Sequence, residues 1–92
     1  MDINKLAGLV NDQANSLFPN RGDASMYLKL YGEIAEMIES NGAADEVADV
    51  FIMLLDYAHR KNVDISVAIL EKMDVNSHRD WVITSAGTYK HV

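Results

Sequence analysis

Two pairs of acidic residues stand near the middle of this 92-residue chain: Glu33 with Glu36, and Glu46 with Asp49. Each pair has the spacing i, i+3. On an α-helix that spacing puts both carboxylates on one face, about one turn apart. Asn41-Gly42 lies between the pairs and is a strong helix stop. The pattern therefore predicts two antiparallel helices joined by a short loop, each offering two acids to one small volume. A single pair of acids three apart usually marks a solvated helix face. The surroundings of the second pair argue otherwise. Val47, Ala48, Val50, Phe51, Ile52, Met53, Leu54 and Leu55 make that helix apolar nearly all round, and such a helix is buried. Carboxylates on it are costly unless paired or bound to a cation. The sequence around them offers no basic partner until Arg60 and Lys61, so a metal ion is the partner the pattern calls for. Four hard oxygen donors without cysteine suit Mg²⁺ or Mn²⁺ better than zinc.

Four helices must position these acids. Asp2 is a good N-cap for a first helix running to about Leu17, with Ile3, Leu6, Val10, Ala14 and Leu17 as its apolar stripe. Asn11, Gln13 and Asn15 read as solvated neighbours. Phe18 to Gly22 reads as a turn, with Phe18 plugging the core. A second helix starts at Asp23 or Ser25 and ends by Ser40. It buries Met26, Leu30, Ile34 and Met37, with Glu33 and Glu36 along the edge of that stripe. The third runs from after Ala43-Ala44 to about Lys61. Glu46, Asp49, Met53 and Asp56 share one of its faces, and Asp56 is expected to pair with Arg60 at i+4. The fourth begins with Asp64 as N-cap and turns Ile65, Ile69, Leu70 and Met73 inward. Lys72, Asn76 and Arg79 follow at i, i+4, i+7, which by itself reads as a solvated basic edge. Residues 81–92 are rich in β-branched and aromatic types around Ser85-Ala86-Gly87, predicting a small hairpin or an arm on a neighbouring subunit. The fold class is all-α: one domain over 1–92, a four-helix bundle with a short extended C-terminal tail.

A chain of this length buries only about 60–65% of its unfolded surface, so its core is thin. Yet 49% of its residues are hydrophobic, which predicts that some apolar surface is buried between subunits. A homodimer or tetramer is the expected assembly. The net charge of −6 speaks against DNA or RNA polymers as partners, since those demand a basic face. The longest apolar run, Val50 to Leu55, is far short of a membrane span, and no signal-peptide pattern opens the chain. With no cysteine to suggest an oxidising compartment, a cytoplasmic protein is expected.

The acid pattern continues into a wider one. Lys29-Leu30 precedes Glu33-Ile34-Ala35-Glu36; nine residues separate Glu36 from Glu46; and Ala48-Asp49-Val50 leads to Leu54-Leu55-Asp56-Tyr57-Ala58-His59-Arg60. Val63-Asp64-Ile65 and Lys72-Met73-Asp74-Val75-Asn76 follow, with Asn76-x-x-Arg79-x-Trp81 beyond. Over roughly Leu17 to Trp81 this resembles the MazG-like, all-α nucleoside triphosphate pyrophosphohydrolases of the short phage and bacterial type. Gly32 departs from the pattern, standing where many members carry another Glu. The resemblance implies Mg²⁺-dependent hydrolysis of a nucleoside triphosphate to a monophosphate and pyrophosphate, with Mn²⁺ able to substitute. Purine deoxynucleotides such as dGTP or dATP are the substrates it suggests. It implies that Glu33, Glu36, Glu46 and Asp49 hold the ions, that Lys72 and Asn76 meet phosphate and sugar, and that Arg79 joins them. Asn15 is a further candidate, because an amide offers both a donor and an acceptor to a base edge. Which carboxylate takes the proton of the attacking water is left open, with Glu36 one choice. Two other readings remain: a dUTPase-like house-cleaning enzyme, whose relatives carry inserted helices absent here, and a non-catalytic acidic helical interaction module.

Overall fold

The computed structural model describes residues 1–92. It forms α1 (Ile3–Leu17), α2 (Asp23–Glu39), α3 (Ala44–Arg60) and α4 (Ile65–Ser77), then a hairpin of β1 (Trp81–Ile83) and β2 (Tyr89–His91). Local chemistry sets the boundaries. The Asp2 carboxylate accepts from the Lys5 N–H at 2.9 Å, and that of Asp64 from the Val67 N–H at 3.1 Å, so both predicted N-caps are made. Asn4 ties these two helix starts together. Its amide donates to Asp64 at 2.9 Å and its carbonyl accepts from the Ile65 N–H at 3.1 Å. At the end of α2, Asn41 and Gly42 take φ values of 57° and 81°. That left-handed turn lets the Gly42 N–H reach back to the Met37 carbonyl and the Asn41 N–H to that of Ile38. Asn62, with φ of 56°, closes α3 in the same way through Val63 to Ala58. Both stops follow from the tolerance of Asn and Gly for this region.

Helix α3 is the centre: α1 and α2 both pack against it, whereas α4 lies on α1. The hairpin is antiparallel, pairing Trp81 with His91 and Ile83 with Tyr89. The Trp81 indole N–H donates to the Asn76 backbone carbonyl at 3.0 Å and closes the end of α4. No helix is long and apolar enough to cross a membrane.

The core is smaller than the sequence suggests. Eight residues are buried, and three of them are polar: Asn11, Glu33 and Asp56. Several expectations fail here for one reason, which is that a single copy of four short helices encloses little volume. Helix α4 buries nothing, and Ile69, Leu70 and Met73 are exposed rather than inward. On α1, Leu6 and Leu17 are exposed, while Ala7 and Asn11 face α3. Asn11 is therefore not a solvated neighbour. Phe18 is not a core plug either: 61% of its surface is exposed. In contrast Val50, Leu55 and Ala58 on α3, Met26 on α2 and Ala7 on α1 form the true apolar core. Leu55→Ala should cost about 2–5 kcal/mol by urea denaturation, since α1 and α2 close only partly over the space it leaves.

Candidate active site

Helices α2 and α3 run back to back from the Asn41-Gly42 turn, and this brings acids from both into one cluster. Carboxylate oxygens of Glu33, Glu46 and Asp49 all lie within 4.8 Å of one another. Glu33 is buried, Glu46 half-buried and Asp49 exposed. One oxygen of Glu33 and one of Glu46 are buried with no hydrogen-bond partner. A buried, unpartnered carboxylate oxygen is costly, and a divalent cation with oxygen preference is the group that would satisfy two of them together. The donor set thus fits Mg²⁺ or Mn²⁺. The electrostatics agree. Burial first, and then the charges of Glu36, Asp45, Asp49 and Glu33, push the Glu46 carboxyl above its ordinary range. Glu36, the fourth expected ligand, is exposed and outside the tight cluster, although its charge is felt by Glu46.

The cluster is less isolated from basic groups than the sequence indicated. The Lys29 ammonium sits 2.9 Å from the other Glu33 oxygen, one turn before it on α2. Its side chain is largely exposed, so it only partly offsets the acids.

Glu33 and Asp49 also line one end of a cavity of about 560 Å³. This volume is in the range of small-molecule sites. Its walls are apolar along Ala14, Met26, Ile52 and Met53, and its far end is made by Phe18, Arg21 and Asp56. There the Arg21 guanidinium forms a two-pronged bond to Asp56, Nε to one oxygen and Nη2 to the other, both at 2.8 Å. The buried Asn11 amide donates to Asp56 at 3.0 Å, and Asn15 donates to Asn11 at 3.1 Å. Burial drives the Asp56 carboxyl upward, but the bonds from Arg21 and Asn11 and the Arg21 charge outweigh it and hold the group below the usual carboxylate range. The expected Asp56–Arg60 pair is not formed. Arg60 turns to Asp23 on α2 at 2.9 Å, because Asp56 faces α1 and the α1–α2 turn. Lys61 also binds Asp23, so both cations clamp the ends of α2 and α3.

Of the other expected contacts, Lys72 lies exposed on α4, Asn76 keeps a buried side-chain oxygen, Oδ1, without a partner, and Arg79 follows α4 half-buried. Neither these three nor Asn15 lines the cavity. Sequence reasoning missed Arg21 and Asn11. The one available signal was that Asp56 shares the α3 face of Asp49 two turns on and so needed a cation from elsewhere.

The fold and site have close counterparts. Over 78 residues, 83% of its length, the chain is 40% identical to a dATP/dGTP diphosphohydrolase of Cyanophage S-2L and covers 74% of that protein. The structure superposes with a TM-score of 0.90 on a Cyanophage S-2L MazG-like pyrophosphohydrolase solved with dGDP and three catalytic Mn²⁺ ions per active site. The identity is 33%, and the match covers 100% of this chain and 93% of that one. This chain belongs to the MazG-like pyrophosphohydrolase family. A dATP/dGTP diphosphohydrolase of Salmonella phage PMBT28 is 38% identical over 92 residues; the MazG-like chain spans 99% of itself but only 31% of that longer relative. No family model matches the sequence. The superposition covers all four helices of the MazG-like chain described above.

The buried Arg21–Asp56 pair yields a stability prediction. The folded-state pKa of Asp56 is depressed, so its contribution is present above the ordinary carboxylate value of 3.8 and is lost as pH falls through the depressed value. Asp56→Asn leaves Arg21 without its counter-charge and should cost about 3–5 kcal/mol at pH 7. Urea midpoints compared at pH 7 and pH 3 should show the gap between variant and wild type shrinking at the lower pH.

Proposed function

We propose that this chain hydrolyses a purine deoxynucleoside triphosphate, dGTP or dATP, to the monophosphate and pyrophosphate in a Mg²⁺-dependent reaction that Mn²⁺ also supports. The observation that carries this reading is a cluster of Glu33, Glu46 and Asp49, with orphaned oxygens on Glu33 and Glu46, whose Glu33 and Asp49 line one end of a nucleotide-sized cavity. The relatives' dATP/dGTP diphosphohydrolase names and the dGDP and Mn²⁺ of the solved neighbour support the substrate and metal classes.

Glu33, Glu46 and Asp49 would hold the ions, with Glu36 completing the set from the rim. Divalent cations bound there would neutralise phosphate oxygens and make water a better nucleophile. The remaining work falls to the chain's own groups. The carboxylates would set the phosphates against the incoming water only through the cations they hold; the water oxygen attacks one phosphorus of the α–β phosphoanhydride. That P–O bond breaks, pyrophosphate and the monophosphate separate, and a carboxylate accepts the proton the water gives up. We assign that proton to Glu36, the most solvent-accessible acid of helix α2's pair.

Lys72, Asn76 and Arg79 are assigned to phosphate and sugar, and Asn15 to the base edge. None of them lines the cavity within one protomer, so in this reading a second copy brings the α4 residues in. A second copy is also what the surface asks for. Leu28 and Tyr31 on α2 and Phe51, Ile52 and Leu54 on α3 stand exposed, and burying each is worth about 1.5–3 kcal/mol. A homodimer, or a pair of dimers, with α3 central to the contact is the assembly proposed.

A turnover screen over all NTPs and dNTPs, with pyrophosphate and phosphate measured separately, tests the reaction. Pyrophosphate is expected from purine dNTPs, and its absence from every triphosphate would overturn the reading. Glu46→Gln should abolish turnover and the stabilisation that Mn²⁺ confers on wild type, while leaving the metal-free protein folded. Lys72→Ala should weaken use of the triphosphate without changing Mn²⁺ affinity. Light scattering at micromolar concentration should give a mass of at least two 10.2 kDa chains, and Phe51→Asp should abolish the assembly.

A further inference from the structure

The end of the cavity remote from the acids is built from an ion pair that the hydrolysis itself does not need. Arg21 has five N–H donors. Two bind the two Asp56 oxygens and one binds the Phe18 carbonyl at 3.2 Å. Two remain, and Arg21 lines the cavity. Asp56 is itself held from behind by Asn11, so the guanidinium plane is fixed by two side chains and a backbone carbonyl. Its side chain is only 14% exposed.

Position and charge say what this fork is for. Asp49 and Asp56 stand on one face of α3 seven residues apart, about 10 Å along the axis. A nucleotide whose phosphates lie at the acids therefore places its base, and not its phosphates, at Arg21. Between them Ile52, Met53, Met26 and Ala14 suit the faces of a flat ring; of the two remaining polar lining residues, Ser25 and Lys29, the lysine is held at the acid end by Glu33. Phe18, at the same end and tied to Arg21 through its carbonyl, adds an exposed aromatic ring. Because Asp56 cancels the Arg21 charge, the pair is a weak anion site but a good donor to a neutral acceptor.

We propose that Arg21, held by Asp56 and Asn11, is a specificity-determining residue that donates to N7 of a purine base. N7 is an acceptor on both adenine and guanine and is absent from pyrimidines, and guanine adds O6 beside it, matching the two-pronged geometry of a guanidinium. The assignment rests on the nucleotide reading of the cavity given above and deepens it.

The test compares a purine with its analogue lacking N7. Calorimetry with Mn²⁺ present measures binding of dGMP and 7-deaza-dGMP, and steady-state kinetics measures dGTP and 7-deaza-dGTP. Wild type should favour the N7-bearing ligand about tenfold, the scale of one base-edge contact. In Arg21→Gln that preference should fall to near one, with the loss of dGTP use appearing in KM and not in kcat. Arg21→Lys, which keeps a charge for Asp56 but loses the planar fork, serves if the Gln variant does not fold. Equal binding of the two ligands by wild type, or an undiminished preference in the Arg21 variants, would overturn the proposal. A variant that weakens both ligands equally would also overturn it and give Arg21 a purely structural role. Discrimination in binding without pyrophosphate release from dGTP would uphold the base site and sink the hydrolytic reading instead.

Discussion

A buried carboxylate must meet positive charge or remain protonated, and α3 confronts that constraint at both ends of one face. At its N-terminal half Glu46 and Asp49 meet Glu33 of α2, and acid faces acid. Two turns on, Asp56 meets Arg21 and Asn11 and is fully compensated. The first arrangement stays incomplete without a cation, whereas the second is complete in the chain alone. The molecule can therefore fold around the Asp56 end while holding the other end ready for a ligand.

This division also explains the polar content of so small a core. Asn11, Glu33 and Asp56 occupy three of its eight buried positions. Each would be a liability in a domain with so few apolar contacts. Asn11 and Asp56 satisfy each other and join α1 to α3. Glu33 is satisfied on one oxygen by Lys29 and left open on the other. Glu46 likewise keeps one buried oxygen open, and the two residues belong to the same cluster.

The thinness of the core bears on assembly as well as on stability. Helix α4 and the hairpin add little burial to one copy, and the α2 and α3 surfaces opposite α1 remain apolar and open. The cavity is walled on one side only by what α1, α2 and their connecting turn provide.

Much of this was legible in the sequence. The spacing of Glu33, Glu36, Glu46 and Asp49 and the stop at Asn41-Gly42 determined that two helices present acids to each other, because helical geometry is local and the left-handed turn depends on residue type alone. The caps Asp2 and Asp64 were legible for the same reason. What the sequence left undecided were the long-range choices. Asp56 could pair with Arg60 one turn away or with a residue far along the chain, and only the packing of α1 on α3 selected Arg21, thirty-five positions distant. Phe18 and the α4 residues Leu70 and Met73 are apolar, but hydrophobicity does not say whether enough chain exists to cover them. In one copy it does not, and tertiary structure left them at the surface.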